Sequence, residues 1–308
     1  MKKNIAILLF ICLFTGCGED TSPIISIPDV EFKKLLVNKY DKNNDNEISE
    51  KEALKVRTLI VAGSPVGKNN IESLEGIEHF TKITKLDCSY CSLITLDISK
   101  NTNLKELFCN NNTLTGLDVS NNIKLKRLSC SRNIIPELDV SKNVLLETLF
   151  CIINQLTSLD VSNNKKLKYF SCSYNRIEEL DVSKNRLLSK FFCNDNKLST
   201  LDVSNNKELL KFFCHNNMLE VLDVTNNTKL TSLCNFRNLL TEIDVSKNKE
   251  LTELSCANNK LTRLDLSNNP NLNTFLCMTS PDLDTIYLKE NQKIKSFLKN
   301  KESTIIYI

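Results

Sequence analysis

The chain has 308 residues, 41% hydrophobic and 25% charged, with 40 Lys and Arg against 37 Asp and Glu for a net charge of +3. That composition suits a chain that buries a core; it excludes collagen-like, fully disordered and multi-pass membrane classes, and the near balance of charge argues against a basic nucleic-acid surface. The 13 cysteines fall short of a disulfide scaffold, whereas asparagine is in such excess, 40 residues, that an internal repeat is to be sought.

Lys2 and Lys3 precede an apolar run from Ile5 to Phe14, followed by Thr15-Gly16-Cys17. Charged, apolar and small residues in this order make a secretory signal, and a run of about ten is too short for a bilayer span of about 20 residues. Phe14-Thr15-Gly16-Cys17 resembles a bacterial lipobox, with Phe14 where leucine is commoner. The resemblance implies a signal peptide over residues 1–16, lipid attachment at Cys17 and a tether over 17–27. Gly18-Glu19-Asp20 is similar to the acidic export tag of Bacteroidetes lipoproteins. It implies a lipid-anchored place in the outer membrane, exposed at the cell surface, with the periplasmic face as the alternative.

Residues 28–82 read as an N-terminal cap. From Ile27 to Tyr40 the pattern predicts an amphipathic helix, with Phe32, Leu35, Leu36 and Tyr40 on one face and Pro28 in the first turn. The following loop places oxygen donors at its first, third, fifth, ninth and twelfth positions: Asp41, Asn43, Asp45, Ser49 and Glu52. Glu47 would add its backbone carbonyl, and Ile48 sits at the usual aliphatic position. This spacing resembles an EF-hand loop, in which calcium takes roughly six to eight oxygens. It implies one structural calcium ion. Asn46 stands where the EF-hand has glycine; asparagine tolerates the left-handed conformation, so the departure bears on affinity more than on binding.

From Ile83 the sequence repeats every 21 residues, over 83–280, in the pattern of Leu104-Lys-Glu-Leu107-Phe-Cys109-Asn-Asn-Asn112-Thr-Leu114-Thr-Gly-Leu117-Asp-Val119-Ser-Asn-Asn122. One slot holds Cys88, Cys109, Cys130, Cys151, Cys172, Cys193, Cys214, Cys256 and Cys277; two others hold asparagine, from Asn112 to Asn259 and from Asn101 to Asn269. The chain resembles the leucine-rich repeat family, and most closely the secreted repeat proteins of Bacteroidetes with LxxLxCxxNxLxxLDVSxN units. The reading is a mainly β repeat solenoid, a rod of about ten coils with short strands and a small helical N-terminal cap. At about 4.8 Å per rung the rod would be about 45–50 Å long. Each unit divides into two similar halves, which predicts extended structure on both sides of the coil. Residues 281–308 are expected to cap the exposed last coil.

Cys88 and Cys91 form a C-x-x-C, but the repeat register accounts for both as core positions. The ladder cysteines are expected to be free thiols, because neighbouring side chains point the same way. Cys234 is shifted one place outward, with Asn235 in its slot, and could expose a reactive thiol. No enzyme is expected. His79 and His215 are the two histidines, and Cys214 and His215 fall on opposite faces of a strand.

In this family the outward strand face is the binding one. Phe108, Phe150, Ile152, Tyr169, Phe192, Phe213 and Phe236 fall on it, and are expected to join in an apolar patch for a protein partner. The function implied is non-catalytic binding at the cell envelope, in adhesion or host contact. Glycan or nutrient binding and a structural periplasmic role are the alternatives; the lack of Trp weakens the glycan reading. A row of acids from Asp97 to Asp265 on the second half-coil is expected to be held by backbone N–H groups and Ser hydroxyls.

Overall fold

Alternation of apolar and polar residues in Leu104-Lys-Glu-Leu107-Phe-Cys109 puts Leu107 and Cys109 inward and Glu106 and Phe108 outward, so each coil begins its circuit with a short strand. The computed structural model describes residues 22–308 other than 65 and 68. The signal segment and Cys17 lie outside the described residues. In chain order the strands are β1 (Thr58–Ile60), β2 (Lys85–Asp87), β3 (Glu106–Phe108), β4 (Arg127–Ser129), β5 (Thr148–Phe150), β6 (Tyr169–Ser171), β7 (Lys190–Phe192), β8 (Lys211–Phe213), β9 (Ser232–Cys234), β10 (Glu253–Ser255), β11 (Arg263–Asp265), β12 (Thr274–Cys277), β13 (Thr285–Leu288), β14 (Ser296–Lys299) and β15 (Thr304–Tyr307). Twelve of them, β1 to β10 with β12 and β14, make one parallel sheet in sequence order. Its register is constant, Leu86 beside Leu107 and Leu107 beside Leu128. The inward residues form one continuous core from end to end of the stack. Phe170, Phe191 and Phe212 replace leucine within it and stack at 5.4 and 5.5 Å.

The expectation of strands on both sides is corrected. The second side has ladder structure only in β11, β13 and β15. In the preceding coils only one or two backbone bonds join successive second halves, as from the Thr113 N–H to Leu93 and from the Ile134 N–H to Leu114. The row of acids there is held by backbone N–H groups as expected, and these bonds bend the chain locally: the Asp118 carboxylate accepts the Ser120 N–H at 2.8 Å, and Asp139 and Asp181 do the same with Ser141 and Ser183. These bonds hold Asp118, Asp139 and Asp181 below the usual carboxylate range. The ends also differ from the expected ten coils. Thr58 pairs with Lys85, and Thr274 with Ser296, at spacings that depart from 21. Both end segments therefore extend the same sheet, and residues 281–308 continue the solenoid with strands on both of its sides.

Two short helices cover the first coil. Helix α1 (Val30–Tyr40) starts later than the pattern predicts, because the Asp29 side chain accepts the Phe32 N–H at 2.9 Å and caps it. Its Phe32 and Leu36 are buried. The other Asp29 oxygen accepts the N–H groups of Glu72 and Ser73, tying the helix to the segment that leads into β2. Helix α2 (Glu50–Ala53) is opened by a capping box between Ser49 and Glu52.

What holds one coil to the next is asparagine. In the second ladder each side chain is fully buried and its Nδ2 donates to two carbonyls of the preceding coil; Asn185 reaches Val161 at 2.9 Å and Asn164 at 3.0 Å. In the first ladder Asn112 donates to the carbonyls of Cys88 and Cys109, while its Oδ1 accepts the Leu93 N–H at 3.1 Å. The residue before each first-ladder asparagine is left-handed, with φ near +55° at Asn111, Arg132, Ile153 and Asp195. For a branched residue such as Ile153 that conformation costs about 1–2 kcal/mol, and the clamp on the next residue holds it. Asn185→Ala should cost about 2 kcal/mol, since two buried carbonyls lose their donor. The check is a lower urea midpoint than that of the exposed control Lys184→Ala; equal midpoints would refute the ladder's role.

Candidate binding face

The outward side chains of the long sheet stand in columns, one residue per coil. One column carries Phe108, Ser129, Phe150, Ser171, Phe192 and Phe213; the next carries Ile152, Ser173, Asn194, His215 and Phe236. The structure brings together some of the expected aromatics and separates others. Phe192 and Phe213 meet at 4.9 Å between ring centres, Phe213 and His215 at 6.4 Å, and His215 stacks on Phe236 at 4.3 Å. This is one continuous strip over three coils. Phe150 stands apart from Phe192 because Ser171 lies between them on β6, and Ser129 likewise separates Phe108 from Phe150. Phe108 and Ile152 are half-buried. Cations cover the outlying rings: Lys85 lies over Phe108 at 5.3 Å and Lys190 over Tyr169 at 5.2 Å. Arg237 lies 6.0 Å over Phe236, at the end of the strip.

A polar network borders the strip. Asp195 accepts the side-chain amides of Asn194 and Asn216, both at 2.7 Å, and faces His215 Nε2 at 3.6 Å. Ser173 donates to Asn194 at 2.7 Å. Burial lowers the His215 pKa from its ordinary 6.5; Asp195 opposes that and Arg237 adds to it. Sequence reasoning missed this group, because Asp195 and His215 sit in different slots of successive coils. The available signal was an acid at the left-handed position, where the flanking coils have Tyr174 and Asn216.

The cysteines lie behind this face. All described cysteines are free thiols, buried except for the half-buried Cys234. Burial pushes Cys130 and Cys172 up to about 12 and Cys234 up to about 11. The reactive outward thiol considered for Cys234 is thus corrected: half-buried on β9, it stays protonated. Cys214 is fully buried and His215 is outward, so the adjacent pair does not meet.

At the solenoid's first end the EF-hand-like loop is tightly wound. Asp41 accepts the N–H groups of Asn44 and Asn46, and Asp45 that of Glu47. Asn43 donates to Asp45 at 2.6 Å, and Glu47 pairs with Lys33 at 2.6 Å. Glu52, 3% exposed, spans the loop's ends, accepting from Lys42 N–H at 2.6 Å and from Ser49 N–H and hydroxyl at 3.0 Å. Ile48 is fully buried. Asn46 takes the left-handed turn with φ 64°, so it meets the backbone requirement that glycine meets in an EF-hand. Among the described residues no three His, Cys, Asp or Glu side chains converge as a metal cluster; the carboxylates turn onto backbone N–H groups. In donor chemistry, all oxygen, and in its sharp turn, the loop fits calcium.

No protein-family model and no curated protein matches the chain. Solved structures do. The functional domain of InlJ from Listeria monocytogenes, which includes a cysteine ladder, is 31% identical with a TM-score of 0.74, over 90% of this chain and 70% of that one. An internalin, inlF, from the same organism is 18% identical with a TM-score of 0.69, over 91% and 95%. YopM from Yersinia enterocolitica is 20% identical with a TM-score of 0.61, over 81% and 59%. The last two comparisons bear on the fold alone. The chain belongs to the leucine-rich repeat proteins. Within that class it is similar to the InlJ domain, and it too carries cysteine at one slot of successive coils.

Because the folded state resists protonating His215, the unfolded state binds the extra proton as pH falls below 6.5. The stability contributed by neutral His215 is present above that value and is lost as pH falls through the lower folded pKa. Between about pH 7.5 and about pH 5.5 the denaturant midpoint should therefore fall further for the wild type than for His215→Gln. Equal falls would show that His215 carries none of the dependence.

Proposed function

We propose that this is a non-catalytic binding protein of the cell envelope, which offers the outward face of its long sheet to a protein partner in adhesion or host contact. The observation that carries the reading is the strip Phe192, Phe213, His215 and Phe236. Its rings touch over successive coils, whereas the other outward aromatics, Phe108, Phe150 and Tyr169, stand apart among Ser, Asn, Lys and Glu. Lys190, Lys211 and Arg237 rim it, giving an apolar centre with a charged edge, the anatomy of an interface. Similarity to the InlJ domain supports a rigid solenoid as the scaffold. The lipobox-like segment supports a lipid anchor at Cys17, and hence the outer membrane.

In the same reading one calcium ion is held by Asp41, Asn43, Asp45, Ser49, Glu52 and the Glu47 carbonyl. When bound, it would supply a multivalent link between α1 and α2, fastening the cap on the first coil.

Two experiments test these readings. Immobilised extracellular proteins should bind the wild type at least about 10-fold more tightly than the triple variant Phe192→Ser, Phe213→Ser, Phe236→Ser, with melting temperatures alike. Equal affinities would remove the strip from the site. Calcium, compared with chelator, should raise the wild-type melting temperature by mass action and leave Glu52→Gln unmoved. The increment is the readout, because Glu52 also serves the capping box. No increment in the wild type would end the calcium reading.

A further inference from the structure

The inward cysteine slot is a run of thiols from Cys88 to Cys214, is interrupted by Asn235, and resumes with Cys256 and Cys277. The two runs bond differently. In the first, thiols donate to a backbone carbonyl of the next coil: Cys88 to Phe108 at 3.6 Å, Cys109 to Ser129 at 3.6 Å and Cys151 to Ser171 at 3.4 Å. Cys256 donates instead to the sulfur of Cys277, at 3.1 Å. Cys277 is also within 3.5 Å of the Ser280 hydroxyl.

The pair is also bounded on both sides. Below Cys256 the slot holds Asn235, fully buried, neither of whose amide atoms has a hydrogen-bond partner among the described residues. Above Cys277 the register brings Lys299, whose ammonium donates to the carbonyls of Asn300 at 2.9 Å and Ser303 at 2.7 Å. Strands β10 and β12 pair in register, with Ser255 beside Leu276. Neighbouring strands stand about 4.8 Å apart, inside the Cα range of about 4.4–6.8 Å that a disulfide spans.

We propose that Cys256 and Cys277 are an oxidisable dithiol that closes to a disulfide and staples the last coils of the solenoid. The hydrogen bond from Cys256, aided by Ser280, holds Cys277 below the ordinary thiol range, while the same pairing and burial push Cys256 up. Cys277 is therefore the attacking thiolate. With a small-molecule disulfide as oxidant, it attacks one sulfur, forms a mixed disulfide and releases one thiolate. Cys256 gives up its proton and attacks the Cys277 sulfur, forming the internal bond and expelling the second thiolate. Two electrons and two protons leave the protein and end on two small-molecule thiols.

Both sulfurs are buried, so the exchange runs through opening of the end of the stack. There β14 is partly exposed and Leu298 is 43% exposed. In a solenoid each coil is held by its neighbours alone, and the terminal one opens at least cost. The interior thiols share the chemistry but not the access.

Full-length protein is equilibrated with oxidised glutathione under native conditions, quenched in acid, alkylated in denaturant and analysed by peptide mass spectrometry. The expected result is a Cys256–Cys277 cross-linked peptide pair two hydrogens lighter than its thiol form, with Cys109 to Cys214 fully alkylated. In Cys256→Ser, Cys277 should be trapped as the glutathione mixed disulfide. The oxidised wild type should melt higher than the reduced one. The proposal is overturned if Cys256 and Cys277 remain alkylatable, if the interior rungs oxidise to the same extent, or if the cross-link leaves the melting temperature unchanged.

Discussion

Everything in this molecule depends on satisfying the backbone at the corners of each coil. A chain that turns every ten or eleven residues around an apolar interior leaves carbonyls and amides facing that interior, and each would cost about 1–3 kcal/mol unpaired. Asparagine meets the need at both corners. At the second corner its amide donates to two carbonyls in the coil before; at the first it donates to one carbonyl there and one in its own coil, and its oxygen also accepts a backbone N–H. The bonds run between coils as well as within them, so they set the spacing of the stack. Leucine, valine, cysteine and a short run of phenylalanine fill what the ladders enclose.

A frame this regular leaves the outward residues of the strands free to vary. Serine on β4 and β6 alternates with phenylalanine on β5 and β7 without disturbing the register. Where aromatics fall on successive coils, at Phe192 and Phe213, they touch, and His215 and Phe236 carry the contact onward. The strip lies over the coils whose inward slot also changed from leucine to Phe191 and Phe212. Both faces of β7 and β8 are thus aromatic.

Much of the architecture is legible in the residues. Strict recurrence of Cys, Asn and Leu at 21 defines the coil, its inward slots and the face on which Phe192 stands. The ends were less legible, because β1 and β14 pair at spacings other than 21 and so hide from a search for period. The second side was misread as strand. Its pattern matches that of the first side, but the Asp side chains bend the backbone through local bonds that alternation does not reveal. At the loop, Asn46 at a left-handed position could be anticipated from its chemistry, since a short polar side chain lowers the cost of that conformation.

By itself, then, the order of residues determined the repeat, the core and the side of the sheet each aromatic occupies, because a strand's alternation and a fixed period leave no freedom in those. The tertiary structure decided which residues meet. Phe150 and Phe192 are both outward, yet a serine keeps them apart, while Asp195 and His215, in unlike slots, face each other across a coil. It also decided that Cys256 bonds to sulfur where Cys109 bonds to a carbonyl. These contacts are set by the neighbours above and below, and a period of 21 is silent about them.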